Sequence, residues 1–203
     1  LAQALAAPRG ETETRVRILA RGLGREFLAL APAVAQALAA TIEPALVEGR
    51  SSVVLLDHAT TLRFIDGTGL QHVRQVMRIL TDAAVESMGE ASIPDSASLL
   101  FAATIKPDGH VLEPEDIAQK ESVSFPDLQP GDAIWLEYLA PLSPDSFLGG
   151  GFIESAFFFD LFDVPVHEST YTTLAQDGLA PIFRFTDGVG TPEKVTIPGF
   201  SGV

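Results

Sequence analysis

Hydrophobic residues follow two different periods along the chain, and the change falls near residue 50. Between residues 13 and 47, apolar side chains recur at spacings of three and four. The first stripe consists of Val16, Leu19, Leu23, Phe27 and Leu30. This spacing places them on one face, which predicts an amphipathic helix packed against a neighbour. A second helix is predicted to begin at Pro32 and to end or kink at Pro44, because proline fits the first turn of a helix but not its interior.

From Ser52 onward the period becomes two, which is typical of strands. The first predicted strand alternates apolar and other residues, with Val54, Leu56, His58, Thr60, Leu62 and Phe64 on one face. Further strands are predicted at 70–80, 99–105, 110–112, 133–139, 152–159, 166–174, 181–185 and 194–197. Many short strands without intervening helices indicate a mainly β fold, an antiparallel β-sandwich with a short N-terminal helical segment. We therefore divide the chain into residues 1–50 and 51–203.

Short runs of proline, aspartate and glycine separate the predicted strands. The turn residues singled out are Asp66, Gly67, Pro107, Asp108, Gly109, Pro130, Gly131 and Asp132. Proline presets φ, an aspartate side chain accepts from the backbone two residues on, and glycine adopts the left-handed conformation. These properties favour a structural role for all eight residues.

Charge and composition narrow the class of partner. The chain carries 13 Lys and Arg against 27 Asp and Glu, a net charge of −14, and most of the acidic residues follow residue 50. Such a region repels phosphate backbones, so nucleic acid is not expected as a partner. The apolar run from Phe27 to Ile42 contains Pro32 and is shorter than the roughly 20 residues that span a bilayer, so no transmembrane segment is predicted.

Few residues suggest catalysis or metal binding. The chain has no cysteine, which excludes a thiolate metal site and a cysteine nucleophile. Its histidines, His58, His72, His110 and His167, lack the spacing of a helical metal site, and no metal or cofactor is predicted. His58 lies in phase with an apolar face, whereas His72 lies on the polar face of its strand. No catalytic residue is assigned.

Aromatic side chains provide weak candidates for ligand binding. Trp135 and Tyr138 are predicted to lie on opposite faces of one strand, and Phe158 belongs to the aromatic run 157–162. Most such residues are core residues. If some are exposed, they form a patch for another domain or a ligand.

Several segments together resemble a known bacterial family. They are 57–61, the Asp66-Gly67 turn, 76–81, 99–109, 128–132 leading into 134–138, and Pro165-Val166 followed by Ser169 and Tyr171. In this order they resemble the β-sandwich domain found N-terminal to transglutaminase-like domains, the domain of unknown function 3857 family, over about residues 53–197.

The resemblance implies a periplasmic or secreted multidomain protein, although a cytoplasmic location remains open. It implies a papain-like transglutaminase domain downstream, whose chemistry requires a cysteine that this chain lacks. The leading hypothesis is a non-catalytic accessory domain that supports or orients its neighbour in the same polypeptide and that neighbour's protein substrate. Two alternatives stay open: a stand-alone carbohydrate- or peptide-binding module, and a hydrolase whose carboxylates converge across the sandwich.

Overall fold

The computed structural model describes residues 26–114, 122–144, 152–154, 156–159, 163–182, 184 and 191–203. Its helices are α1 (Val34–Ala39), α2 (Pro44–Val47) and α3 (Asp82–Met88). Its strands are β1 (Ser52–Arg63), β2 (Gly69–Ile79), β3 (Glu90–Ser92), β4 (Ser98–Ile105), β5 (Val111–Leu112), β6 (Ser122–Ser124), β7 (Ala133–Leu142), β8 (Ser169–Gln176), β9 (Val195–Ile197) and β10 (Phe200–Gly202).

Eight of these strands form one large sheet in the order β5-β4-β7-β2-β1-β8-β10-β9, and β3 pairs with β6 in a small second sheet. The predicted mainly β fold with a helical N-terminal segment is confirmed. One pairing differs from the antiparallel expectation, since β1 and β8 run parallel. The long connection between β7 and β8 brings β8 back beside β1 in the same direction, which makes the large sheet mixed.

Strand β1 lies in the middle of the large sheet, and all twelve of its residues are buried. The register shifts between Val54 and Leu56, so that Val54 pairs with Met77 whereas Leu56 pairs with Val76. This bulge places Val54 and Leu56 on opposite faces. The prediction that both share a face with His58 is therefore wrong for Val54.

One face of the large sheet lies beneath residues 27–50, and we call it the N-terminal face. Two apolar clusters cover it. Val34 and Ala37 of α1 pack on the first, which includes Leu56 and Val76. Phe27 packs on the second, with Leu62, Leu70, Leu139 and Leu174. Phe27 and Leu30 of the predicted stripe thus belong to the core of the sheet, and its other members, Val16, Leu19 and Leu23, lie outside the described residues.

The opposite face carries Tyr138 and Tyr171, and we call it the tyrosine face. Helix α3 and the small sheet cover one end of it, where Ala84, Val123 and Phe125 pack on Ile79 and Leu136. The side chain of Thr81 caps α3 by accepting a hydrogen bond from the amide of Ala84.

Several elements differ from the sequence predictions. The predicted strands 152–159 and 181–185 are absent from the described residues of those ranges. Pro44 begins α2 instead of interrupting the preceding helix, which ends at Ala39. Helix α3 and the short strands β3, β6 and β10 were not predicted, because segments this short contain too few residues to show a period.

Candidate functional site

The predicted turn residues lie in tight reversals at the strand ends. Asp66 accepts hydrogen bonds from the amide and hydroxyl of Thr68, and Asp108 accepts one from the amide of His110. Gly67, Gly109 and Gly131 all have positive φ. Asp132 is buried and accepts from the Gln129 amide at 2.8 Å and from Lys106 Nζ at 2.9 Å. Pro107 and Pro130 lie in the same two turns as Gly109 and Gly131.

A buried ionic cluster crosses the middle of the N-terminal face, between its two apolar clusters. Glu137, 2% exposed, is its centre. Its Oε1 accepts hydrogen bonds from His72 Nε2 at 2.8 Å and Arg74 Nη2 at 2.9 Å, and its Oε2 accepts one from Arg74 Nε at 3.0 Å. Trp135 Nε1 also donates to Oε2, at 3.3 Å. Arg74 thus holds the carboxylate by two parallel hydrogen bonds, the strongest arrangement for this pair.

His58 lies beside this cluster and is uncharged near neutral pH. Its ring nitrogens lie 2.6 Å from Thr170 Oγ1 and 2.8 Å from Thr60 Oγ1, and its ring centroid lies 6.3 Å from that of His72. Burial, together with the nearby His72 and Arg74, lowers the pKa of His58 to about 4. Burial alone raises the pKa of Glu137, but hydrogen bonds from His72 and Arg74 outweigh it and lower that pKa to about 2.

The cluster joins the N-terminal segment to the sheet. Arg74 Nη1 donates to the carbonyl oxygens of Pro32 at 2.8 Å and Ala31 at 3.3 Å. Phe27 covers His72, with ring centroids 6.1 Å apart. The polar face predicted for His72 is therefore buried, because residues 27–50 lie on it. Glu137 is not predicted from the sequence as the partner of His72. A carboxylate in phase with the apolar residues Trp135 and Leu139 would have indicated a buried, paired charge.

The tyrosine face carries a second group of polar side chains. Gln75 is exposed and donates to Asp57 Oδ1 at 2.9 Å. Burial and the nearby Asp57 raise the pKa of Tyr138. Tyr171 shares a hydrogen bond of 3.0 Å with Thr61 Oγ1, and mainly burial raises its pKa.

The aromatic run continues this surface. Phe157 stacks on Tyr171, with ring centroids 4.7 Å apart and an interplanar angle of 18°, and Phe159 packs edge-on against Phe157. Phe158 is 67% exposed and Ile153 is 72% exposed. Residues 160–162 of the predicted run lie outside the described residues.

Arg63 connects residues 152–154 to the sheet. Its Nε and Nη2 donate to the two carboxylate oxygens of Glu154, at 2.5 and 3.1 Å, and Phe152 packs against the guanidinium. The aromatic segment is therefore fixed beside the polar residues of the tyrosine face.

The three predicted ligand-binding residues do not form one site. Trp135 lies on the N-terminal face, where its ring packs on Phe101 at 4.2 Å. Tyr138 is half-buried on the tyrosine face, within the cluster that includes Leu136. Phe158 is exposed and belongs to the segment beside Tyr171. Alternation along β7 thus separates Trp135 from Tyr138, as their spacing predicted.

Among the described residues, no group of three or more histidine and carboxylate side chains is close enough to hold a metal ion. Nor does that part of the chain contain a helix with the length and apolar character needed to cross a membrane.

One solved structure shares the fold of this chain. A "putative protease" from Parabacteroides distasonis is 14% identical with a TM-score of 0.54, and the match covers 75% of this chain and 34% of that protein. An M1 zinc metallopeptidase from Deinococcus radiodurans is 16% identical with a TM-score of 0.39, covering 75% of this chain and 38% of the other. This chain thus spans about a third of the length of these proteins. A comparison with curated protein sequences finds no significant match.

A family model matches residues 65–200, about two thirds of the chain. Its description is "Domain of Unknown Function with solved-structure structure (DUF3857)". The match confirms the family suspected from the turn motifs, although it begins twelve residues later than the resemblance and leaves β1 outside. The chain belongs to the DUF3857 family.

Proposed function

We propose that this chain is a non-catalytic accessory domain of a larger bacterial protein, in which its tyrosine face contacts a neighbouring domain of the same polypeptide. The observation that carries this proposal is the exposed apolar surface of Ile153, Phe158 and Phe159, held in place by the Phe157–Tyr171 stack and the Arg63–Glu154 pair. Fixed, exposed aromatic side chains are typical of interaction surfaces.

The ionisable groups support a role in binding over one in catalysis. Glu137 and His72 form a carboxylate–histidine pair, but both side chains are buried, His72 against Phe27, and their hydrogen bonds stabilise the fold. A hydrolase would need its carboxylates at a surface that a substrate can reach.

The family resemblance suggests the identity of the neighbour. We propose a transglutaminase-like domain with papain-like chemistry, whose position and protein substrate this domain helps to orient, in a periplasmic or secreted protein. The gene should then encode, beyond Val203, a domain with a Cys, His and Asp in that order. A gene without such a domain would contradict this assignment.

The contact itself is tested in the full-length protein. Phe158→Ser removes an exposed aromatic side chain, so the fold should stay intact while the domain contact weakens. Limited proteolysis between the domains should become faster, and KM for the protein substrate should rise. Ile182→Ser, which alters an 89% exposed side chain outside the segment 152–159, is the matched control. If both variants behave like the parent protein, the tyrosine face is not the contact surface.

A second candidate, a carbohydrate- or peptide-binding module, is favoured by the exposed amide of Gln75 on the same face as Tyr171 and Phe158. Aromatic faces beside amide groups suit extended polar ligands. Titration of the 203-residue chain with peptides and oligosaccharides would support this candidate if binding saturates and Gln75→Ala weakens it.

A further inference from the structure

A small cavity opens at one end of the N-terminal face, away from the proposed contact surface. Its volume is about 140 Å³, and its walls include Leu38, Arg78, Ile105 and Ala133. Arg78 pairs with Ala133 across β2 and β7, and Ala133 pairs with Ile105 across β7 and β4, so these three side chains form one row on the sheet. Leu38 of α1 lies over this row. The turns at Pro107–Gly109 and at Gly131 complete the rim.

Arg78 differs from the two other arginines of β1 and β2. Arg63 and Arg74 each hold a glutamate through two nitrogen atoms. Arg78 donates one hydrogen bond, from Nη2 to the Leu38 carbonyl at 3.1 Å. No carboxylate of the described residues lies within salt-bridge distance of it. A guanidinium has five N–H donors, so most of the donors of Arg78 are available to a ligand.

Lys106 also lines the cavity, but its charge is balanced. Its Nζ lies 2.9 Å from both Asp127 Oδ2 and Asp132 Oδ2. Since these bonds fix Lys106 to the turn at Asp127–Asp132, the positive charge left for a ligand belongs to Arg78. The other walls, Leu38, Ile105, Pro107 and Ala133, are apolar.

We propose that this cavity binds a carboxylate with a short aliphatic chain, the carboxylate on Arg78 and the aliphatic part against Leu38, Ile105 and Ala133. A planar guanidinium suits a carboxylate, which it can bind through two parallel hydrogen bonds. An apolar cavity of about 150 Å³ accommodates a six-carbon ring, so a ligand of similar size fits. A free branched short-chain acid and the C-terminal valine of a peptide share this chemistry.

The test uses the ¹⁵N-labelled 203-residue chain and two acids, 3-methylbutanoate and the tripeptide Ala-Ala-Val with a free C-terminus. Each has a neutral control, 3-methylbutanamide and the amidated tripeptide. We expect saturable shifts of the Ile105, Gly109 and Ala133 amide signals with an acid and none with its amide. Saturation by both acids shows a small-carboxylate site, and saturation by the tripeptide alone shows a site for chain termini. Equal shifts with acid and amide, or no shift with either acid, would overturn the proposal.

Two variants test separately whether binding needs the Arg78 guanidinium and whether it needs the open cavity. Arg78→Met should weaken binding by about tenfold or more, since hydrogen bonds to a charged group are stronger than those between neutral groups. Arg50→Met is the matched control, because Arg50 is exposed and likewise donates to a carbonyl, that of Asp163 at 3.4 Å. Leu38→Phe keeps Arg78 but fills the cavity, so it should also weaken binding. It therefore tests the site even if Arg78→Met does not fold. Unchanged affinity in both Arg78→Met and Leu38→Phe would contradict the site.

Discussion

Single residues decide whether charges can lie inside this sheet. Glu137 is stable as a buried carboxylate because His72 and Arg74 both donate to it, and Arg74 in turn reaches the carbonyls of Ala31 and Pro32. Removing one member leaves a buried charge without its partner. This usually lowers the free energy of unfolding by more than the intact pair contributes to it.

Glu137→Gln should therefore destabilise the fold strongly. Glutamine retains the size of the side chain but not the charge that Arg74 and His72 face, and we expect the free energy of unfolding to fall by about 3–5 kcal/mol. Glu113→Gln, at an exposed position, should change it by less than about 0.5 kcal/mol. Urea unfolding of both variants measures the difference. Equal midpoints would show that the cluster does not stabilise the fold.

His58 should make stability dependent on pH. The pKa of His58 is about 4 in the folded chain, against its ordinary value of 6.5 in the unfolded chain. Between pH 6.5 and pH 4 the unfolded chain therefore binds the proton more readily than the folded chain. The contribution of His58 to the free energy of unfolding should thus be complete above pH 6.5. It should fall as the pH decreases, by about 3 kcal/mol at pH 4. Glu137 adds a loss in the same direction between pH 4.5 and about 2.

The matched variants His58→Gln and His110→Gln identify the source of that pH dependence. His58→Gln should flatten the unfolding curve between pH 6.5 and 4, because glutamine does not titrate. His110 is exposed, so His110→Gln should retain the parental slope. Thermal unfolding at a series of pH values provides the measurement, and identical slopes in the two variants would contradict the assignment.

At the scale of elements, the β1–β2 hairpin has a close approach that requires glycine. A Cβ added at Gly69 would lie 2.2 Å from the Leu62 carbonyl oxygen, a backbone atom that cannot move without disturbing the central strand. Gly69→Ala should therefore destabilise the fold by about 3 kcal/mol, as other overpacked sites do. Gly49→Ala should cost only about 1 kcal/mol, because its Cβ meets no atom within 4 Å and only its positive φ is strained. Chemical unfolding of both variants tests this order.

Strands and turns could be predicted where local chemistry determines them. Alternation along β7 separated Trp135 from Tyr138, and Asp66-Gly67 located the first hairpin. The strand predicted at 152–159 is wrong because a run of consecutive phenylalanines also suits an irregular segment: Phe157 packs on Tyr171, and Phe158 reaches solvent. The bulge at Val54–Leu56 and the His72–Glu137 pair depend on contacts between distant strands, which a single sequence does not encode as a period.

At the scale of the whole molecule, the helical segment and the sheet share one core. Phe27, Val34 and Ala37 are buried against the sheet, and α1 and the residues before it supply backbone acceptors to Arg74 and Arg78. The division at residue 50, drawn from the change of period, marks a change of secondary structure. Nevertheless, the packing continues across it.

Two shortened chains would test this shared core. A chain that begins at Ser51 loses the cover of the N-terminal face, so Leu56, Leu62, Leu70 and Val76 would become exposed and Arg74 would lose two of its acceptors. We expect it to bind a hydrophobic dye and to unfold without a cooperative transition. A chain that begins at Glu26 keeps every contact among the residues that the structure describes and should unfold cooperatively. A cooperative transition of similar midpoint in the chain from Ser51 would show that the sheet folds without its helical segment.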